Sequence, residues 1–433
     1  MHPNHDSMRG RIACWLGTIG LGTMVLGVGV STAAINIGMA LLSLATLLVV
    51  DELKGTLRCP ELRVALALTG FLVVVTLIAG VREPALASEH RNYGWDLIRI
   101  AGLPAFAAGW WLSHGKLSRR ALFVLFSIGV IAGGAEFIEW EHALSAPLAG
   151  RGLIHGGNFN SLSFLAGVLL AINLGAVLAP FRPGSAGSRR RWPLVLFGLA
   201  ASLVAAFFLL NGQSRGAYLG VLGSLIVALG LRLWIGRDGG MRRQTITILV
   251  LVVLVGTVAY AAKPVRSVVL DRFHIASMFD KFLSGSLTSG EPETLDIRIK
   301  LWREGISAFA RRPLLGYGPG AAPKLLSASE YTEIRHSPHF HNVWIQWGAT
   351  TGVGGVLGFA LLYGLLARAS LRGALDRRDA FDWAATTLWA FVGIVTMVQL
   401  RYNQPAGTAV VVLLGGMAFA TALRGSLDER AAN

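Results

Sequence analysis

Two arginines and a short histidine cluster are the residues in this sequence best suited to chemistry. Arg215 lies in NGQSRGAYLG, a connection of only a few residues between two apolar stretches, so its side chain is tethered close to the surface those stretches are buried in. A planar guanidinium can clamp a phosphate or diphosphate through paired N–H donors. The competing role is an interfacial arginine that reaches for lipid phosphates. Arg298 opens LDIRIKLWREGISAFARR at 295–312, one turn before Trp302 and ahead of the glycine-rich GYGPG at 316–320. It suits the same anion-binding task, or it belongs to a solvated helix face. The glycine run follows no strand and so lacks the setting of a phosphate loop. HSPHFHN at 336–342 puts His339 and His341 two residues apart, on one side of an extended chain, with Asn342 at the start of the next apolar stretch. A histidine that titrates near neutral pH suits removal of a proton from a hydroxyl; the bland alternative is an interfacial histidine with no task. Zinc fits poorly, because helical metal ligands prefer a spacing of four and no cysteine or nearby carboxylate completes a set.

The carboxylates offer less. Glu136, Glu139 and Glu141 cluster at the end of one apolar stretch, and Asp96 and Arg99 stand one turn apart in another. A divalent ion held against a diphosphate calls for an Asp-x-Asp or a similar pair. No Asp-x-Asp falls on the outer side, so the glutamates read as a helix-end cluster and Asp96 as compensated by Arg99. No cofactor and no metal site is expected, and cationic side chains are left to do the work of an ion.

The elements that must position these groups follow from composition. Of 433 residues, 53% are hydrophobic and only 15% charged, with a mean hydropathy of +0.57. A soluble chain carries roughly a quarter charged residues, so lipid-facing surface replaces the missing charge. That excludes a soluble enzyme, a disulfide scaffold and a disordered chain. The net charge of +15 reads as topology, and nucleic acid is not an expected partner. Twelve apolar stretches have spanning length, near 12–30, 32–50, 62–81, 96–112, 121–139, 159–180, 193–211, 216–235, 245–262, 342–367, 383–400 and 405–423. The first runs straight into the second, unlike a cleaved leader. With both termini inside, the short outer loops hold Arg82, Arg91, Arg151, Arg215 and Arg401 against 22 Lys and Arg on the inner side, an asymmetry that fixes the orientation. Cys14 and Cys59 then lie near the inner face, where a disulfide is not expected.

The chain divides into 1–262 with nine spans, a 263–340 connection on the outer side, and 341–433 with three spans and an inner tail. Within the connection, Leu295, Ile299, Trp302, Ile306 and Phe309 recur at helical spacing and Pro313 ends the run, which predicts an amphipathic helix near the membrane surface.

SRG at 214–216, IRIKLW with RRPLLGYGPG at 297–320, PHFHNVWIQWGATTGVGG at 338–355 and GGNFNSLSFLAGVLLA at 156–171, in that order among twelve spans, resemble the O-antigen ligase and polymerase superfamily. The resemblance runs from about residue 156 to the end of the tenth span, and the earlier spans match in hydropathy alone. It implies a GT-C-like membrane glycosyltransferase in the bacterial inner membrane with a periplasmic site. It also implies a polysaccharide donor on undecaprenyl diphosphate, a lipid A–core acceptor, membrane lipids as surroundings, and neither metal nor nucleotide. By the same resemblance Arg215 and Arg298 would be the essential arginines and His339 the essential histidine, with His341 the competing assignment. His341, Asn342 and Asn160 would join the arginines in binding substrate. Polymerases and protein O-oligosaccharyltransferases of the same superfamily share the donor. The total length, the single long loop and the absence of an extra soluble C-terminal domain favour a ligase. A secondary transporter is the alternative of another class, but it would place its charges at mid-membrane around related halves.

Overall fold

Runs that are apolar on every side, such as LGTIGLGTMVLGVGV, have no polar face to give to water and must be enclosed by protein or lipid. The computed structural model describes residues 7–139, 159–179, 192–212, 214–236, 242–250, 254, 294–376, 379–399 and 404–432, and folds these runs into helices. Eight of the described helices are long and apolar enough to cross a membrane, or nine if one bent pair counts as a span. The protein is an all-helical, polytopic membrane protein.

The difference from twelve stretches has local causes. The second stretch forms α2 (Thr32–Leu48), after α1 (Met8–Val30), and then turns by 97° into a 3-10 helix at Glu52–Arg58. The fourth, expected as one span over 96–112, is broken. After α3 (Pro60–Arg82), α4 (Ala87–Ile100) carries the polar run SEHRNYGWD, and Gly102, in the left-handed region at φ 105°, separates it from α5 (Leu103–His114). The fifth, α6 (Arg119–Glu136), has Arg119, Arg120 and Glu136 at its ends. The ninth stretch beyond 250 lies outside the described residues except for Leu254, as do Glu141, 156–158 and the 263–293 part of the long connection.

The chain forms two compact units, each assembled from separated segments. The first comprises Met1–Leu125, Ser289–Ser370 and Thr396–Asn433. Here α1 and α2 are joined through Ser31 alone, whose hydroxyl accepts the Ala34 N–H at 3.4 Å and so caps α2. In α5, Trp111 is buried and donates its indole N–H to Thr46 Oγ1 at 3.1 Å. Phe106 meets Phe419 of the last helix edge-on at 5.6 Å.

The second unit comprises Phe126–Thr288 and Leu371–Val395. Its spanning helices α7 (Phe159–Leu178), α8 (Trp192–Gly212) and α9 (Arg215–Ile235) are tied by polar bonds, which hold helices together where lipid supplies no hydrophobic drive. Asn173 donates to Ser202 Oγ at 2.8 Å and Gly198 O at 3.1 Å. Buried Arg232 donates to Leu178 O, Thr245 Oγ1 and Gln244 Oε1, joining the ends of three helical stretches.

Candidate functional site

The expected amphipathic helix is α10 (Thr294–Arg311). It is followed by the short α11 (Ala322–Ser327) and by α12 (Val343–Asp376), whose first residues complete a small module in the first unit. The module has a core of its own. Leu301 and Ala308 from α10, Ala322 and Leu326 from α11, Ile334 and Phe340 from the connection and Ala349 from α12 are all buried together. Ile297, Trp302, Tyr317, Tyr331 and Ile345 pack around them. Burying one such large side chain contributes about 1.5–3 kcal/mol, which gives a segment with no regular structure of its own a reason to hold one shape.

That core positions the residues singled out above. Ile297 and Leu301 flank half-buried Arg298 along α10, and Phe340 stands between the two histidines, so both sides of the candidate site are anchored in the same apolar interior. His339 and His341, on either side of buried Phe340, are both half-buried, with ring centroids 4.2 Å apart at 70°. His341 has φ 57°, the one non-glycine residue in the left-handed region among those described, and such conformations collect at functional sites. The Phe340 N–H donates to Gln346 Oε1 at 3.2 Å.

Asn342 is buried and fully engaged. Its Oδ1 accepts the N–H groups of Trp344 at 2.9 Å and Ile345 at 3.1 Å, which caps α12, and its Nδ2 donates to Met397 O at 2.9 Å. His336 is exposed beside Arg335, whose Nε donates to Ser329 O at 2.8 Å. Lys300, two residues from Arg298, pairs with Glu333 at 3.1 Å. A backbone N–H and then this lysine hold the Glu333 carboxyl below its ordinary range.

The glycine run is a docking loop. α12 breaks at Gly352 (φ 68°, ψ −168°), which exposes backbone groups in mid-helix. The run fills the gap: the N–H groups of Tyr317 and Gly318 donate to Ala349 O at 3.0 Å and Thr350 O at 2.9 Å, and the Val353 N–H donates to Pro313 O at 2.7 Å. Gly316 (φ 64°) and Gly318 (φ 101°) supply the required turns, and a side chain on either would collide with Thr350 or with Ala79 and His90. His90 of α4 completes the contact. It is buried, and its Nδ1 accepts the Gly320 N–H at 3.1 Å. Burial pushes its pKa down, against the opposing pull of Glu83 and Glu89. Glu83 bonds Lys324 at 2.8 Å and lies 3.8 Å from Arg312, and the hydrogen bond from Lys324 holds its carboxyl below the usual range.

Arg215 and Asn160 belong to the second unit. Arg215 is the first residue of α9, half-buried, after a tight connection that Tyr218 closes by donating to Leu209 O at 3.1 Å and Leu210 O at 3.3 Å. Arg215 is therefore held at the helix end, beside backbone N–H groups that favour an anion. Asn160 is exposed in the first turn of α7. Glu136 ends α6 exposed, and Asp96 and Arg99 form the expected pair at 3.6 Å. Among the described residues, no three His, Cys, Asp or Glu side chains converge at metal-ligand spacing.

Sequence reasoning missed Phe340, His90 and Gly352. An aromatic between two polar residues in an extended run was a signal for the first. Nothing local marks His90, which meets its partner 230 residues away. Comparison with curated proteins gives no match. Residues 199–360 match the family described as O-antigen ligase. That segment, which is similar to the O-antigen ligase family, holds Arg215, Arg298, the histidine pair, the broken helix and the loop that seals it.

Proposed function

We propose that the protein is an O-antigen ligase that moves a polysaccharide from undecaprenyl diphosphate to a sugar hydroxyl of lipid A–core, at the periplasmic face of the bacterial inner membrane. The match of residues 199–360 to the O-antigen ligase family supports a glycosyltransferase-like activity on lipid-linked polysaccharide. The observation that supports a transfer site is the shared core of the module, in which Ile297 and Leu301, neighbours of Arg298 on α10, pack with Phe340, which stands between the two histidines. A cation for a leaving anion and a base for an incoming hydroxyl then sit on one rigid support.

The reaction balances without an ion. The acceptor oxygen forms a bond to the anomeric carbon as the bond from that carbon to the diphosphate oxygen breaks. The acceptor's proton passes to His339, and undecaprenyl diphosphate leaves with its added negative charge facing Arg298, while Arg215, at the start of α9, is a second cation suited to the same anion. Attack opposite the leaving group inverts the anomeric centre. Unit charges about 4 Å apart at an effective dielectric near 20 attract by on the order of 4 kcal/mol before desolvation, worth roughly a thousandfold in rate if the contact tightens in the transition state. Asn342 contributes through the cap that fixes the start of α12, and His341 stands against the base.

The test is transfer by the purified, reconstituted protein from an undecaprenyl-diphosphate glycan, with lipid A–core, a second glycan or pilin offered as acceptor. Label on lipid A–core, undiminished by chelator, is the expected result. Label on the glycan would make the protein a polymerase, label on pilin a protein-modifying transferase, and a strict need for a divalent ion would remove the arginines from their role. Arg298→Ala and Arg215→Ala should each lower turnover by about a thousandfold.

A further inference from the structure

The groove between α3 and α4 has a charged end and an apolar end. It is open, with a volume of about 490 Å³, and it is lined by Val73, Thr76 and Leu77 of α3 and by Arg91, Asn92, Trp95 and Ile98 of α4. The two helices run antiparallel. Gly80 lies near Ala87, and Gly94 packs on Thr76, so Arg91 stands towards the ends of the hairpin and Ile98 beside Val73, deeper along α3. From Arg91 to Ile98 is about 10 Å of helix.

The charges of the groove do not cancel. Arg99 is paired with Asp96 at 3.6 Å and lies over the Trp95 ring at 5.5 Å. Arg91 is exposed and forms no ion pair among the described residues. Glu89, two residues away, projects from a different face of the helix and hydrogen-bonds Ser88. Glu83 is held by Lys324 and Arg312. Below the arginine, Leu77 is 65% and Val73 41% exposed on a helix of spanning length, and Trp95 is 55% exposed. An uncompensated arginine, a tryptophan beneath it and an apolar channel beneath that match, in order, the phosphate, the interfacial region and the acyl chain of a lipid.

We infer that this groove binds a net-anionic bilayer glycerophospholipid, its phosphodiester on Arg91 and Asn92 and one acyl chain along Trp95, Leu77, Ile98 and Val73. A zwitterionic headgroup would bring its own cation up to Arg91, so phosphatidylglycerol is preferred to phosphatidylethanolamine. The inference uses neither the histidines nor the arginines of the proposed transfer site and stands apart from that reading.

The full-length protein, reconstituted in nanodiscs holding equal phosphatidylglycerol and phosphatidylethanolamine with a small share of undecaprenyl phosphate, is released into mild detergent and its retained lipid read by native mass spectrometry. The wild type should keep phosphatidylglycerol in preference to the other two. Arg91→Glu should cut that retention by about fivefold or more, and Leu77→Trp, which fills the groove, should cut it as well. Arg91→Gln, a milder change, should show the same loss if the reversal impairs folding, with size-exclusion profiles as the control. Equal retention by wild type and Arg91→Gln would overturn the site. Equal retention of the two phospholipids would overturn the headgroup assignment, and displacement of phosphatidylglycerol by undecaprenyl phosphate would overturn the choice of lipid.

Discussion

His339 and His341 are the same residue type two positions apart, and their roles must differ because their backbones do. His341 holds a left-handed φ that costs a non-glycine residue on the order of 1–3 kcal/mol, while its ring braces that of His339. If His339 is the base, His339→Ala should lose more turnover than His341→Ala in the transfer assay, and the reverse order would exchange the two roles. Phe340 is predicted to matter through packing. Phe340→Ala should destabilise the module around it by about 3–5 kcal/mol, seen as a lower thermal midpoint of the purified protein, whereas Phe340→Leu should cost far less. At this scale residue type and spacing nominated Arg215, Arg298 and the histidines as candidates but said little of what supports them, and the family resemblance put Asn342 among substrate contacts. The structure occupies its amide with the cap of α12 and with Met397 O. A helix cap is a local motif, yet it can be told from a binding group only when the helix start is known.

Long apolar stretches and the 3.6-residue period of α10 were readable because they are set by local composition, and Thr294–Arg311 lies within a residue of the predicted run. The breaks were not. Gly102 and Gly352 end or kink helices through left-handed backbone, and neither differs in sequence from the glycines that sit inside spans. The α4 contact depends on a neutral His90. Its folded pKa lies below the unfolded value, so the unfolded chain binds more protons, and the stability this contact contributes is present above about pH 6.5 and lost as pH falls below it. Hydrogen exchange at 316–320 should therefore be faster at about pH 5 than at about pH 7.5, and His90→Asn, which keeps an acceptor but cannot titrate, should remove most of that difference. Unchanged exchange across this range in the wild type would show that the loop does not rely on the imidazole.

Over the whole molecule, the reading of the charge as topology predicts that both termini lie on the cytoplasmic side. Single cysteines introduced at the two ends of a variant lacking Cys14 and Cys59 should both resist an impermeant maleimide in intact cells and react after lysis; labelling of either in intact cells would break the assignment. Cys59 itself is a poor reporter, since burial and then its bond to Glu61 push its thiol up to about 12. Two compact units were not legible, because each is built from segments that are not contiguous in the chain. Hydropathy orders spans along the chain, whereas polar ties such as Thr387 Oγ1 to Ala171 O, 216 residues apart, decide which spans pack together.

One consequence of Phe340 concerns inheritance more than chemistry. Because a single aromatic is at once the spacer between two imidazoles and a stone in the interior wall of the module, inactivating alleles need not alter any ionisable group. Lesions at Leu301, Leu326 or Ile334, none of which touches a substrate in the proposed reaction, would disarm the protein by letting that spacer drift.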